Sequence, residues 1–262
     1  MGDTALVRER TLRRKSGKDM SLKETRPKSH KASSQLIPIE DDRKDVYRIL
    51  QTPDAERQKF GLREMNKLDK LQRIFAATRR QFSEIGYDGT SLRDIANEAR
   101  VALGTLSFYA DNKRELVLLV FNATMVGVIE KCRLAATYEG SLCDALVAYF
   151  RPAFSAYAAE PDLFRILLGE NVFHTNSSHA REFHRLREET MRHIRSLVED
   201  ARNAGEIKAY IDLDVAARTI FFLLFASVRL WICTDQPAVD AGLAEMRGMV
   251  ALLIDGMRAP KV

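Results

Sequence analysis

Between Ser91 and Ala110 two short segments with apolar faces meet across a turn. Ile95 stands before the turn, and Val101 and Leu106 after it, as apolar anchors. Ala96 supplies a small side chain where two steeply crossing helices must touch. Gly104 lets the second segment lie close to its surroundings. This is the geometry of a helix-turn-helix, and its second helix, about Leu103–Tyr109, can enter a major groove with one face toward the base edges. The chemistry is non-covalent. Donors to phosphate oxygens position such a helix, and contacts to base edges confer sequence preference.

A second group of residues lies in the C-terminal half, where aromatic side chains are dense. Phe150, Phe154, Tyr157, Phe164, Phe183, Phe221, Phe222, Phe225 and Trp231 fall there. They serve as core and subunit interface, or they wall an apolar pocket with a few polar groups, the usual form of a small-molecule site. Asn171, His174, Arg165 and Arg229 are the candidate polar liners, and Phe154, Phe164 and Phe222 the apolar ones. A buried Arg229 would need a partner. His174, His179 and His184 recur every five residues, a step that turns them off one helical face, so no metal site is expected. No Gly-rich phosphate loop, nucleophile elbow or paired-carboxylate motif is present, so neither an enzyme nor a cofactor is expected. Cys132, Cys143 and Cys233 are scattered and odd in number, which fits buried thiols in a reducing cytoplasm.

The elements that must position these residues all read as helices. Leu68, Leu71, Ile74, Phe75, Thr78 and Phe82 recur at three- and four-residue steps from Met65 onward, with Gly86 as the stop. Thr90 or Ser91 caps a second helix, and Asp111 or Asn112 a fourth that runs from Lys113 to about Arg133. Further helices are expected at about Ser141–Ala159, Asp162–Leu168, Ala180–Ala204, Asp214–Cys233 and Val239–Met257. The apolar run Ile220–Val228 is too short for a membrane span and reads as a buried helix. Residues 1–64 read as a largely disordered extension with short helices near Glu40–Gln51 and after Pro53. The first 35 residues carry ten Lys or Arg against four Asp or Glu, and the whole chain has a net charge of +5. The excess charge thus sits in the tail, as a solvated segment or as an arm for a polyanion.

The series Arg73-Ile74, Ala76-Ala77, Phe82, Gly86-Tyr87, Thr90-Ser91, Ile95-Ala96, Ala99, Val101, Gly104-Thr105-Leu106, Tyr109 and Lys113 to Leu116 resembles the tetracycline-repressor (TetR) family. Asp212 to Trp231 and Leu252 to Gly256 look like that family's last two helices. The resemblance spans about Met65–Arg258. It implies an all-α fold with a three-helix DNA-binding head over 65–128 (motif 91–110) and a ligand-binding and dimerisation domain over 129–262. It also implies a cytoplasmic homodimer joined through the last two helices, bound to a near-palindromic double-stranded operator and to no membrane. The expected activity is that of a repressor released by a small hydrophobic or amphipathic ligand. By position, Thr90, Ser91 and Arg93 would meet phosphates, Leu103, Thr105 and Ser107 would face the groove, and Tyr109 and Lys113 the backbone.

Four residues depart from the family pattern. Arg100 replaces a turn Gly, Ala102 a Ser or Thr, Ser107 a Tyr, and Ala110 an aromatic residue. They keep open an alternative, an interaction protein of the same fold with weakened or lost DNA binding. A side chain at a left-handed Arg100 would cost roughly 1–2 kcal/mol.

Overall fold

A computed structural model describes residues 46–47, 49–50, 52–170 and 177–258. Among them are ten helices and no strand, with one isolated bridge between Ile207 and Arg258. A helical turn carrying Val46, Tyr47, Ile49 and Leu50 precedes them. Short α1 (Asp54–Arg57) follows, and the Arg57 guanidinium donates back to the carbonyls of Thr52 and Leu50.

The head is α2 (Leu62–Glu84), α3 (Leu92–Glu98) and α4 (Leu103–Tyr109). α2 begins three residues before Met65, where the Gly61 N–H is capped by the Glu64 carboxylate at 3.3 Å. Of its expected stripe, Leu68, Leu71, Ile74 and Phe82 are buried and Phe75 is half-buried. Thr78 is also buried there, because its hydroxyl donates to the Ile74 carbonyl at 2.7 Å and leaves no orphan polar atom. Gly86 ends the run at φ 85°, a conformation that carries no side-chain penalty in glycine.

The body comprises α5 (Lys113–Ala135), α6 (Leu142–Ala159), α7 (Pro161–Glu170), α8 (Ser178–Asn203), α9 (Leu213–Ile232) and α10 (Val239–Met257). Side chains cap four of these starts: Asn112, Ser141, Ser177 and Asp212 each accept from backbone N–H groups in the first turn. α5 is buried on every side from Glu115 to Phe121, so it is the axle of the molecule. It crosses the expected head–body boundary at residue 128, and the buried core runs without interruption from the head into the body. α9 is long and apolar enough, by length and composition, to cross a membrane. Here Ala216, Ile220, Leu224 and Trp231 bury one of its faces in the bundle. Gly242 of α10 meets the rings of Trp231 and Phe154 so closely that an added Cβ would lie 2.6 Å from one and 2.7 Å from the other.

Candidate nucleic-acid interface and ligand cavity

α3 opens with a reciprocal cap. The Asp94 N–H donates to Ser91 Oγ and the Ser91 N–H donates to the Asp94 carboxylate, both at 3.2 Å. Ile95 and Ala96 bury its inner face. In the turn that follows, Arg100 has φ 54°, among the described residues the one non-glycine in the left-handed region. Arg73 braces this strained corner, donating to the carbonyls of Ala99 at 2.8 Å and Arg100 at 3.0 Å. Sequence reasoning placed Arg73 in the family pattern but missed this task, because its partners lie 26 and 27 residues away.

Ala102 starts α4 with no side-chain cap. Leu106 and Tyr109 anchor the helix inward, and Leu103, Gly104, Ser107 and Phe108 form its outward face. Thr105 is half-buried at the edge of that face. Phe108, a large apolar side chain 37% exposed, is the member that sequence reasoning did not single out.

The expected phosphate contacts divide. Ser91 and Arg93 are exposed, although the Ser91 hydroxyl is already engaged by Asp94 at 2.5 Å. Thr90 is 3% exposed, and its hydroxyl donates to the Gly86 carbonyl at 2.8 Å; it stitches the α2–α3 loop and is withdrawn from a phosphate. Tyr109 is buried beneath α4, so its ring does not face a DNA backbone. Lys113 donates to the Tyr87 carbonyl at 2.7 Å, with its ammonium 4.5 Å from the Tyr87 ring centroid.

In the body, an apolar cavity lies between α5, α6, α8 and α9. Phe121, Met125, Tyr149, Phe183, Phe221 and Phe225 are prominent in its wall. The hollow and the open solvent at its mouth together amount to about 750 Å³. The expected liners that are described sit elsewhere. Phe154 is fully buried against Trp231, with ring centroids 4.6 Å apart, and Phe164 packs on Tyr157. Phe222 points outward and is 52% exposed. The Arg229 guanidinium lies over the Phe225 ring at 4.7 Å rather than in the cavity, and partial burial draws its pKa down. Arg165 is spent on the Ile232 and Thr234 carbonyls. Asn171 and His174 lie outside the described residues.

Polar groups at this cavity are few. Among the described lining residues Arg187 is the one formal charge, and its Nε is buried without a hydrogen-bond partner. The Tyr149 hydroxyl meets His193 Nδ1 at 3.2 Å. Burial raises the Tyr149 pKa and lowers that of His193, so the phenol is the donor and a neutral imidazole the acceptor. Burial also pushes the Cys132 thiol up to about 12, which leaves it unreactive. No group of three His, Cys, Asp or Glu able to hold a metal occurs among the described residues.

Residues 74–120, which include the whole helix-turn-helix, match the family of bacterial regulatory proteins, tetR family. The fatty acid metabolism regulator protein of Bacillus subtilis (strain 168) is 23% identical over 191 residues, 73% of this chain and 97% of that relative. The crystal structure of the Bacillus subtilis regulator FadR in complex with stearoyl-CoA superposes with a TM-score of 0.57 at 22% identity, covering 71% of this chain and 99% of the other. Thermus thermophilus FadR, a repressor in complex with lauroyl-CoA, superposes with a TM-score of 0.55 at 24% identity, covering 73% and 96%. The matched head, the all-helical architecture and these likenesses lead to one conclusion: residues 74–120 are a tetR-family DNA-binding segment, and the chain has the fold of TetR-family regulators.

Proposed function

We propose that this protein is a cytoplasmic homodimeric repressor that releases a near-palindromic operator when a long-chain acyl ligand, of the acyl-CoA thioester class, fills the cavity of its body. The observation that carries the ligand class is the wall of that cavity. It is almost wholly hydrocarbon and aromatic, with Arg187 as its single described charge. A hydrocarbon chain gains from leaving water for such a wall, and an anionic head group supplies the partner that Arg187 Nε lacks. The relatives crystallised with stearoyl-CoA and lauroyl-CoA support the same class.

Dimerisation is assigned to α9 and α10. Their outward face carries Val215, Phe222, Leu230 and Leu252, each more than half exposed in the isolated chain. Such a concentration of exposed apolar side chains marks an association surface. DNA contact is assigned to the outward face of α4, Leu103, Ser107 and Phe108 with Thr105 at its edge, and to Ser91 and Arg93 on α3. Non-enzymatic action fits the named relatives, which are regulators.

The competing reading, a TetR fold that has lost DNA binding, draws on the strained Arg100, the uncapped Ala102 and the inward engagement of Thr90. One titration separates the two. A duplex recovered by in vitro selection is bound to the purified protein, and palmitoyl-CoA, free CoA or palmitate is then added. The proposal expects sequence-selective binding, release by palmitoyl-CoA alone, and a roughly tenfold weaker response in Arg187→Met. Failure to recover any selective duplex would establish the competing reading. Equal release by free CoA would remove the acyl chain from the account.

A further inference from the structure

Three buried hydrogen bonds in series run from α5, through the segment before α1, to the last residue of α4. Asn122 of α5 donates through Nδ2 to the Tyr47 hydroxyl at 3.0 Å. Tyr47 lies 2.6 Å from His179 Nδ1, and His179 Nε2 lies 2.8 Å from the Tyr109 carbonyl oxygen. The chemistry of the ends sets the direction of the middle. An amide nitrogen only donates and a carbonyl oxygen only accepts. His179 Nε2 therefore carries the ring proton, Nδ1 is the acceptor, and the Tyr47 hydroxyl gives it its single proton. The second hydrogen on Asn122 Nδ2 goes to the His179 carbonyl at 2.8 Å, which pins the start of α8 to the axle helix.

The series is sealed from solvent. Asn122 and His179 are fully buried and Tyr47 nearly so, and Val46 and Ile49 anchor the same turn in the core. The Tyr47 ring stands edge-on to the imidazole, 5.7 Å between centroids. Burial raises the phenol pKa well above its ordinary value, so the hydroxyl remains a donor. At the far end, the carbonyl of Tyr109 belongs to the final turn of a seven-residue helix, where carbonyls lack intrahelical donors. His179 supplies one from the body. A segment outside the family-matched residues 74–120 thus completes the link between body and head.

We propose that the turn carrying Val46, Tyr47 and Ile49 is a clasp: through Tyr47 and His179 it holds the DNA-reading helix α4 at one angle to the body, so this turn sets DNA affinity without touching DNA. The proposal rests on α4 being the DNA-reading helix. The turn contributes the tyrosine hydroxyl that orients His179, and His179 grips α4 by its terminal carbonyl. Tyr47 and His179 are positioning residues. Without the hydroxyl, His179 Nδ1 loses the Tyr47 donor, the ring is less firmly oriented, and its grip on the Tyr109 carbonyl at the end of α4 weakens.

Tyr47→Phe in the full-length protein tests this, because it keeps the ring and removes only the hydroxyl. The first readout is amide hydrogen exchange. The amides of Leu106 and Ala110 should exchange at least tenfold faster, while those of α6 and α10 stay within twofold. The second is affinity for the selected duplex, which should fall about tenfold. Unchanged exchange in α4, or acceleration spread evenly over the body, would overturn the clasp. Faster α4 exchange with DNA affinity within twofold would overturn its control of binding. The exchange readout needs no DNA, so a wild-type protein that selects no duplex would sink the functional reading and still leave the clasp decided. Should Tyr47→Phe prove insoluble, Val46→Ala loosens the same turn without stranding a polar atom. It must then show the same changes at smaller size, and its silence overturns the proposal.

Discussion

The head and the body of this protein do their work on opposite sides of their surfaces. The head is built from short helices whose polar side chains are spent on local fastening: Ser91 and Asp94 cap each other, Thr90 stitches a loop and Arg73 braces a turn. What remains for a partner is an exposed face a few residues long. The body reverses this. Its helices are long, its interior is apolar, and its candidate site is the space that the interior leaves unfilled. A surface site follows from local helix geometry. An interior site follows from how several helices settle against one another, so the two regions answer differently to the same kind of substitution.

The sharpest separation comes from the head core. Leu106→Ala removes a fully buried anchor of α4 and should cost about 2–5 kcal/mol, the range for such truncations. Local exchange should show the head opening first, while the body keeps its protection. Simultaneous loss of both would merge the two regions into one cooperative unit.

Next in size is Gly242→Ala. The methyl would collide with Trp231 and Phe154, and overpacking of this kind costs about 1–3 kcal/mol. Denaturant unfolding should show the loss together with a weaker dimer, since α10 carries the outward Leu252. No loss of stability would mean that the aromatic pair can shift at little expense.

Arg100→Gly runs the other way. It relieves a left-handed side chain worth roughly 1–2 kcal/mol, less the greater freedom of glycine in the unfolded chain. A net gain of about 0.5–1 kcal/mol is expected in thermal unfolding. A net loss would show that the Arg100 side chain contributes contacts worth more than the strain.

The smallest effect is a pH dependence in the body. Burial lowers the His193 pKa below its ordinary value near 6.5. The folded state therefore favours the neutral ring. Its contribution is fully present above about pH 6.5 and is lost as pH falls toward the lower folded value. His193→Gln should flatten the stability profile between about pH 5 and pH 7 relative to wild type. An unaltered slope would assign the acid sensitivity to other groups.

The distribution of what was readable follows the same division. The stripe Leu68, Leu71, Ile74 and Phe82, the Gly86 stop, the Ser91 cap and the helix Leu103–Tyr109 are all decided within a few residues, and all were legible. The cavity was not. Phe150 and Phe154 are both aromatic residues of α6, yet Phe150 lines the cavity and Phe154 packs on Trp231 and Gly242. Periodicity marks both as apolar and says nothing about which neighbour each will face. Phe222 likewise reads by composition as core, subunit interface or pocket liner, and only the packed structure turns it outward.

By itself, then, the sequence determined the helices, their caps and the helix-turn-helix, because each rests on interactions between residues three or four positions apart. Tertiary structure decided which apolar residues wall a cavity, that Thr90 and Tyr109 turn inward, and that Tyr47 reaches His179, 132 residues away. Those outcomes depend on the angles between packed helices, and no local pattern of residues encodes such an angle.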